Sequence, residues 1–276
     1  MWNFLRSGQN GAQVAADLED LVQELDNLAC GLPANPVVAA SSYLMWAEKS
    51  ERRLLATYQS FTISRNLQSE RYWRIRAMDS LTSRPMPLIV AEIEMQKRHL
   101  EELLLQLRHY ISMLTFPDNH WIVVPDTNVL VHGKLLHEVE WHREINARRA
   151  TVVMPLVVLD ELDRIKDRDP EFGRRAQSVL RALDRMTQDK DWLTPIPLRQ
   201  NVWLQLLDEP PGHQRQQGQD DEIVRQSNYF AQLNDSRLIL LTRDRGMRLR
   251  AQAAGLKSQT LPEHLERIRA KKSDGD

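Results

Sequence analysis

Beyond residue 120, short apolar runs alternate with stretches of helical periodicity, and that alternation restricts the fold more than any other feature of the chain. Trp121-Ile122-Val123-Val124-Pro125, Thr151-Val152-Val153-Met154 and Leu238-Ile239-Leu240-Leu241 read as buried strands. Asn201-Val202-Trp203-Leu204-Gln205-Leu206 alternates more openly and reads as a further candidate. Helical patterns fall at 156–168, 172–188, 220–234 and 244–254. Parallel neighbours need a crossover long enough to hold a helix, so strand–helix alternation implies a mostly parallel sheet with helices on both faces.

No such runs precede residue 120. Val14, Leu18, Leu21, Val22, Leu25 and Leu28 form the stripe of an amphipathic helix over 11–30, ending near Gly31 and Pro33. A second helical stretch starts after Pro36 and runs with few breakers through Tyr43, Trp46, Leu54, Tyr58, Leu67, Trp73 and Ile75, up to Ser83-Arg84-Pro85-Met86-Pro87. A third carries Ile89, Ile93, Leu100, Leu103, Leu104, Leu107, Ile111 and Leu114 on one face, and Pro117-Asp118-Asn119 closes it. The division expected is an all-helical N-terminal domain at 1–118 (a bundle or coiled-coil-like hairpin), an α/β domain at 119–262 and a charged tail at 263–276, fraying from Arg267. The heptad-like stripe at 89–114 would suit a homodimer formed through the N-terminal helices.

Composition narrows the class. Charged residues make up 27% and hydrophobic ones 42%, the balance of a soluble globular protein. The net charge is −1, with 12 Lys/Arg against 14 Asp/Glu up to residue 120 and 25 against 24 beyond it. Any nucleic-acid contact must therefore use a local patch. The single Cys30 makes no intramolecular disulfide and fits a reducing cytoplasm. No stretch is apolar enough to span a membrane, and the N-terminus lacks a long apolar leader segment.

The chemistry is carried by four acids at comparable places in the α/β half. Asp126 leaves the strand 121–125. Glu161 lies in the first-turn region of the helix after strand 151–154, among Val157, Val158 and Leu162. Asp220 opens a helix whose apolar face begins at Ile223 and Val224. Asp244 follows strand 238–241 through Thr242 and Arg243. In a parallel α/β sheet, strand carboxyl ends and the following helix starts share one edge, so the four should converge. Clustered carboxylates raise one another's pKa, and a hard divalent cation resolves the conflict. Mg²⁺ or Mn²⁺ is the expected cofactor, and phosphodiester hydrolysis by metal-activated water the expected reaction. Thr127, Asn128 and Thr242 are short polar neighbours suited to hydrogen-bonding those acids.

These segments resemble the PIN-domain nucleases. The match rests on the strand into Asp126-Thr127-Asn128-Val129-Leu130, on Val157-Val158-Leu159-Asp160-Glu161-Leu162-Asp163, on Asp220-Asp221-Glu222-Ile223 and on Leu240-Leu241-Thr242-Arg243-Asp244. It covers roughly 121–260 and looks closer to the PIN domains of larger RNA-processing proteins than to compact toxins. The resemblance implies a three-layer α/β/α sandwich and Mg²⁺- or Mn²⁺-dependent endoribonuclease activity on an RNA substrate. The family's third acid lies three residues before an Ile, which selects Asp220, with Asp221 as the fallback. Residues 1–120 resemble no family.

Each feature has a plainer account. Asp126 alone would be a helix cap, and Asp220 and Asp244 ordinary helix starters; the conjunction gives them weight. Glu161 could pair with Arg164 or Arg168 on its own helix. Arginines crowd the proposed site, with Arg164, Arg168, Arg174 and Arg175 on one side and Arg243, Arg245, Arg248 and Arg250 on the other. Arg243, Arg245 and Arg248, beside Asp244, are the better candidates for substrate phosphates; the alternative is a helix face laced with ion pairs. The segment Glu209–Gly218 is a loop by composition and could border the site. His132, His137 and His142 are five apart, which suits loop or surface positions rather than a zinc site. Tyr43, Trp46, Tyr58, Tyr72 and Trp73 suit packing more than base stacking.

Two other functions compete. A catalytically inactive PIN-fold scaffold binding RNA or protein would be expected to have lost some of the acids, yet all four are present. An aspartyl phosphatase wants a second Asp at position 128, which is Asn, and a receiver domain wants its acids and Lys in another order.

Overall fold

A computed structural model describes residues 4–78, 85–117, 119–168, 172–191, 193–209, 213–235 and 237–266. The chain divides into two compact units, the first ending at Leu114 and the second beginning at Thr115.

The first unit is helical. α1 (Gly11–Cys30) starts where the Asn10 side chain accepts from the backbone N–H groups of Ala12 and Gln13, and α2 (Pro36–Thr57) repeats the device with Asn35 and adds Pro at its first position. The second helical stretch expected from the sequence is not continuous. It breaks after Thr57, and Ser60 and Ser69 each cap a new short helix, α3 (Phe61–Arg65) and α4 (Glu70–Arg76). A serine oxygen offered to the backbone competes with helix continuation, which is why these breaks need no Pro or Gly. α5 (Pro85–Leu114) lies along α1, and Ile89, Ile93, Leu100, Leu103, Leu104 and Leu107 are buried there with Val14, Leu18, Leu21 and Leu25. The heptad-like stripe is thus used inside the unit. Tyr43, Trp46, Tyr58 and Tyr72 are buried as packing residues, while Trp73 is half exposed. Glu92, fully buried on α5, accepts hydrogen bonds from Tyr43 Oη (3.0 Å), Ser69 Oγ (2.7 Å) and Gln96 Nε2 (2.8 Å).

The second unit is built on a six-stranded sheet in the order β3-β4-β2-β1-β5-β6. In chain order the elements are β1 (His120–Pro125), α6 (Thr127–His132), α7 (Trp141–Glu144), β2 (Arg149–Pro155), α8 (Leu156–Arg168), α9 (Gly173–Thr187), β3 (Ile196–Arg199), β4 (Val202–Leu207), α10 (Gln219–Leu233), β5 (Leu238–Leu241), α11 (Arg245–Ala253) and β6 (Ser258–Gln259). All pairings are parallel except β3 with β4. Ala150 through Pro155 are buried without a break, so both faces of β2 are covered, as a sheet sandwiched between helix layers requires. From β1 the chain steps through β2 towards β4 on one side, then crosses to β5 on the other. The crevice between the ends of β1 and β5 is therefore the point where strand order reverses.

The strands at 121–125, 151–154, 201–206 and 238–241 are present to within a residue or two, and the two edge strands β3 and β6 are additional. Glu161 sits in the second turn of α8, since that helix begins at Leu156. His142 is buried, contrary to the surface position expected, and His132 lies edge-on to Phe172. Glu263–Leu265 form a single 3₁₀ turn, and Glu266 bridges to Gly133. The stretch expected to fray, Arg267–Asp276, lies outside the described residues. None of the described helices is long and apolar enough to cross a membrane.

Candidate active site

β1 and β5 run side by side, with Val124 opposite Leu240 and Pro125 opposite Leu241, and the Asp126 amide continues the ladder to the Leu241 carbonyl at 2.9 Å. Asp126 and Thr242 thus leave adjacent strands at the reversal point. Asp126 does cap a helix: its Oδ1 accepts from the Val129 amide at 2.6 Å. Its other oxygen, Oδ2, accepts from the Thr242 hydroxyl at 2.5 Å. That same hydroxyl oxygen accepts from the Asp244 amide at 3.0 Å, so Thr242 joins the first and fourth acids. Thr127, the next residue after Asp126, donates from its hydroxyl to Glu161 Oε2 and so ties α6 to α8.

Asp126 is 2% exposed. Burial pushes its carboxyl up to about 6, only partly offset by the Thr242 and Val129 hydrogen bonds, and the charges of Glu161 and Asp220 push the same way. Glu161 is also raised, first by burial and then by Asp220, against the opposing pull of Thr127 and Arg164. The charge of Asp220 therefore bears on both Asp126 and Glu161. Asp244 is placed differently: it is exposed and caps α11, with its Oδ1 accepting from the Met247 amide at 2.6 Å. Of the two aspartates opening α10, Asp220 is the one whose charge reaches the other acids. Asp221 is exposed, and Arg250 on α11 pairs with both, at 2.8 Å from Asp220 and 3.0 Å from Asp221. Asn128 is exposed on the first turn of α6.

The arginines fall into two groups. Arg243 pairs with Glu266 at 3.1 Å, and Arg248 donates to the Thr242 carbonyl at 3.0 Å. Arg245 and Arg248, with Lys257 and Ser258, line a cleft of about 460 Å³, and Arg174, Arg181 and Arg185 on α9 line another of about 530 Å³. Sequence reasoning did not find Arg250 as the partner of Asp220. Nor did it find a second group of ionisable side chains, Glu209, His213 and Glu222, which the turn into α10 brings together. The only sequence signal for that group is the loop composition of 209–218.

Carboxylate oxygens that resist joint ionisation are the donor set of a hard divalent cation rather than of a thiol- or imidazole-seeking metal, so the residues at the end of β1 fit Mg²⁺ or Mn²⁺. Residues 123–262, half of the chain, match the family model described as the PIN domain. The protein belongs to the PIN-domain family. Members of this family are generally nucleases and typically use divalent metals. Among solved structures, a domain of a functionally unknown protein from Methanocaldococcus jannaschii DSM 2661 is similar, at 20% identity, covering 54% of this chain and 96% of that one with a TM-score of 0.35. No curated protein matches the chain.

Proposed function

We propose that the PIN domain is a Mg²⁺- or Mn²⁺-dependent endoribonuclease, with Asp126, Glu161, Asp220 and Asp244 as its acidic centre. The observation that carries this reading is that Thr127, the residue after Asp126, hydrogen-bonds Glu161 from a separate helix, while the charge of Asp220 bears on both acids. Bound there, a divalent cation supplies a nucleophilic hydroxide from water and stabilises charge on the phosphoryl oxygens. The chain's own contribution is orientation. Val129 and Thr242 fix the two oxygens of Asp126, Thr127 fixes one of Glu161, and the Thr242 hydroxyl spaces Asp126 from Asp244. Arg245 and Arg248 offer cations for the RNA backbone beside these acids. Purified protein should cleave RNA in Mn²⁺ or Mg²⁺. EDTA, or Asp126→Asn, should reduce cleavage to background. Undiminished cleavage by Asp126→Asn sinks the assignment.

One observation favours a non-catalytic scaffold instead: the guanidinium of Arg250 already neutralises Asp220. Calorimetric titration with Mn²⁺ separates the readings, because a scaffold of that kind takes up no ion at Asp126.

A further inference from the structure

Beyond the end of β4, the segment entering α10 gathers a second set of donors. Glu209, His213 and Glu222 each present one ligand atom within 4.8 Å of the other two. Their side chains are 13%, 2% and 0% exposed. Two inward carboxylate oxygens define the centre. Glu222 Oε1 lies 2.8 Å from His213 Nε2. Gln226, one turn further along α10 and fully buried, sends its amide nitrogen to Glu222 Oε1 at 2.6 Å and to Glu209 Oε1 at 3.0 Å. The outward oxygens are held from behind. The Gln216 amide donates to Glu222 Oε2 at 2.9 Å, and Arg215 Nε spans both oxygens of Glu209 at 2.8 and 2.9 Å. Arg215 is itself fixed by Asp160 at 2.6 Å.

The Gln226 side-chain oxygen is buried and makes no hydrogen bond among the described residues, although its amide group lies inside the cluster. A buried acceptor without a partner costs about 1–3 kcal/mol. With a cation replacing the two hydrogen bonds that the amide nitrogen now makes, turning the amide end for end would bring that oxygen to the cluster as a further ligand. Four inward groups, one imidazole nitrogen and three oxygens, would then surround a single point.

We propose that Glu209, His213, Glu222 and Gln226 form a Zn²⁺ site, separate from the Asp126 centre, that clamps the start of α10. An imidazole among oxygen donors suits Zn²⁺, whereas Mg²⁺ prefers oxygens alone and keeps several waters. Four protein ligands leave no open position, the mark of a structural rather than a hydrolytic zinc. Around a four-coordinate zinc with bonds of ~2.0–2.1 Å the ligand atoms stand about 3.4 Å apart, so the hydrogen-bonded pair His213–Glu222, now at 2.8 Å, would open slightly and the wider separations, all within 4.8 Å, would close. Arg215 and the Gln216 amide supply the outer hydrogen bonds that orient metal-bound carboxylates. The competing account is a purely hydrogen-bonded network in which His213 donates to Glu222.

The test uses the full chain, stripped with a chelator and titrated with Zn²⁺. Asp126→Asn should bind one more Zn²⁺ than Asp126→Asn/His213→Ala, and Zn²⁺ should raise the unfolding temperature of the first only. Equal uptake by the two overturns the proposal. If His213→Ala fails to fold, Co²⁺ loaded into Asp126→Asn decides: intense visible bands of a four-coordinate ion are expected, and a weak six-coordinate spectrum overturns the site. Loss of RNA cleavage in Asp126→Asn with Zn²⁺ uptake intact bears only on the nuclease centre, so the two readings fail separately.

Discussion

Asp126 pays for its position in the absence of a metal. An ordinary aspartate titrates near 3.8, whereas burial and neighbouring acids bring this one to about 6. The folded state therefore holds the proton more tightly than the unfolded chain, and stability falls as pH rises from about 4 to about 6, remaining lower above that. Asp126→Asn keeps an acceptor for Val129 and removes the charge. In chelator-treated protein it should raise stability by on the order of 2–3 kcal/mol at pH 7.5 and by little at pH 4, read by thermal unfolding. His120 behaves with the opposite sign. Burial, with Arg149 and Arg237 adding to it, lowers its imidazole to about 4, while its ring stacks on Phe116 and bonds Thr151 at 2.8 Å. Stability from this group is present above 6.5 and is lost as pH falls towards 4, so His120→Gln should flatten the acid limb of the stability profile. Thr242→Val removes the hydroxyl shared by Asp126 and Asp244 and should weaken Mn²⁺ binding about 10–100-fold by calorimetry. Of these residues, Asp126 and Thr242 were legible because they follow strand-like runs. His120 was not, since nothing in sequence tells which end of a strand is sealed by an aromatic neighbour.

Elements were legible in proportion to how local their causes are. The parallel strands announce themselves through β-branched runs, and α8 to α11 through their apolar spacing. The edge strand β3 escaped because Pro197 and Arg199 break its apolar pattern, and it is defined only by its antiparallel partner β4. The break between α2 and α3 was hidden because Ser60 caps through a side-chain oxygen, a choice the surrounding apolar spacing does not reveal. In the same way the stripe of α5 reads equally well as a coiled-coil seam or as the inner face of a bundle. Glu92 on α5 is a further element-level device, receiving Tyr43 from α2 and, from the capping residue of α4, Ser69. Glu92→Ala would remove the acceptor of the buried Tyr43 hydroxyl and of Ser69 and leave a cavity, and should lower the stability of the helical unit by about 3 kcal/mol in urea titration.

For the whole molecule, a net charge of −1 hides a strong local imbalance. The cation-lined cleft of Arg245, Arg248 and Lys257 lies on the same unit as the acidic centre, so affinity for the proposed RNA substrate should fall steeply with salt despite the neutral total. Arg245→Gln should weaken RNA binding and reduce the slope of log affinity against log salt by about 1. Family membership was readable from the segments that flank the four acids, since each strand-to-helix passage carries a local pattern of apolar run and polar cap. The Glu209–His213–Glu222 group had no such signature, being assembled by a loop whose path depends on the finished fold.

The sheet ends on both sides in very short strands, four residues in β3 with a proline among them and two in β6. An open strand edge is a template onto which another chain can add hydrogen bonds, and brevity and proline both blunt it. This sheet offers too few consecutive free backbone groups to zip onto a copy of itself. Self-association through the sheet rims is thereby disfavoured, whereas among the described residues the helical unit exposes large apolar side chains at Val37, Val38, Met45, Phe61, Trp73, Val90 and Leu105.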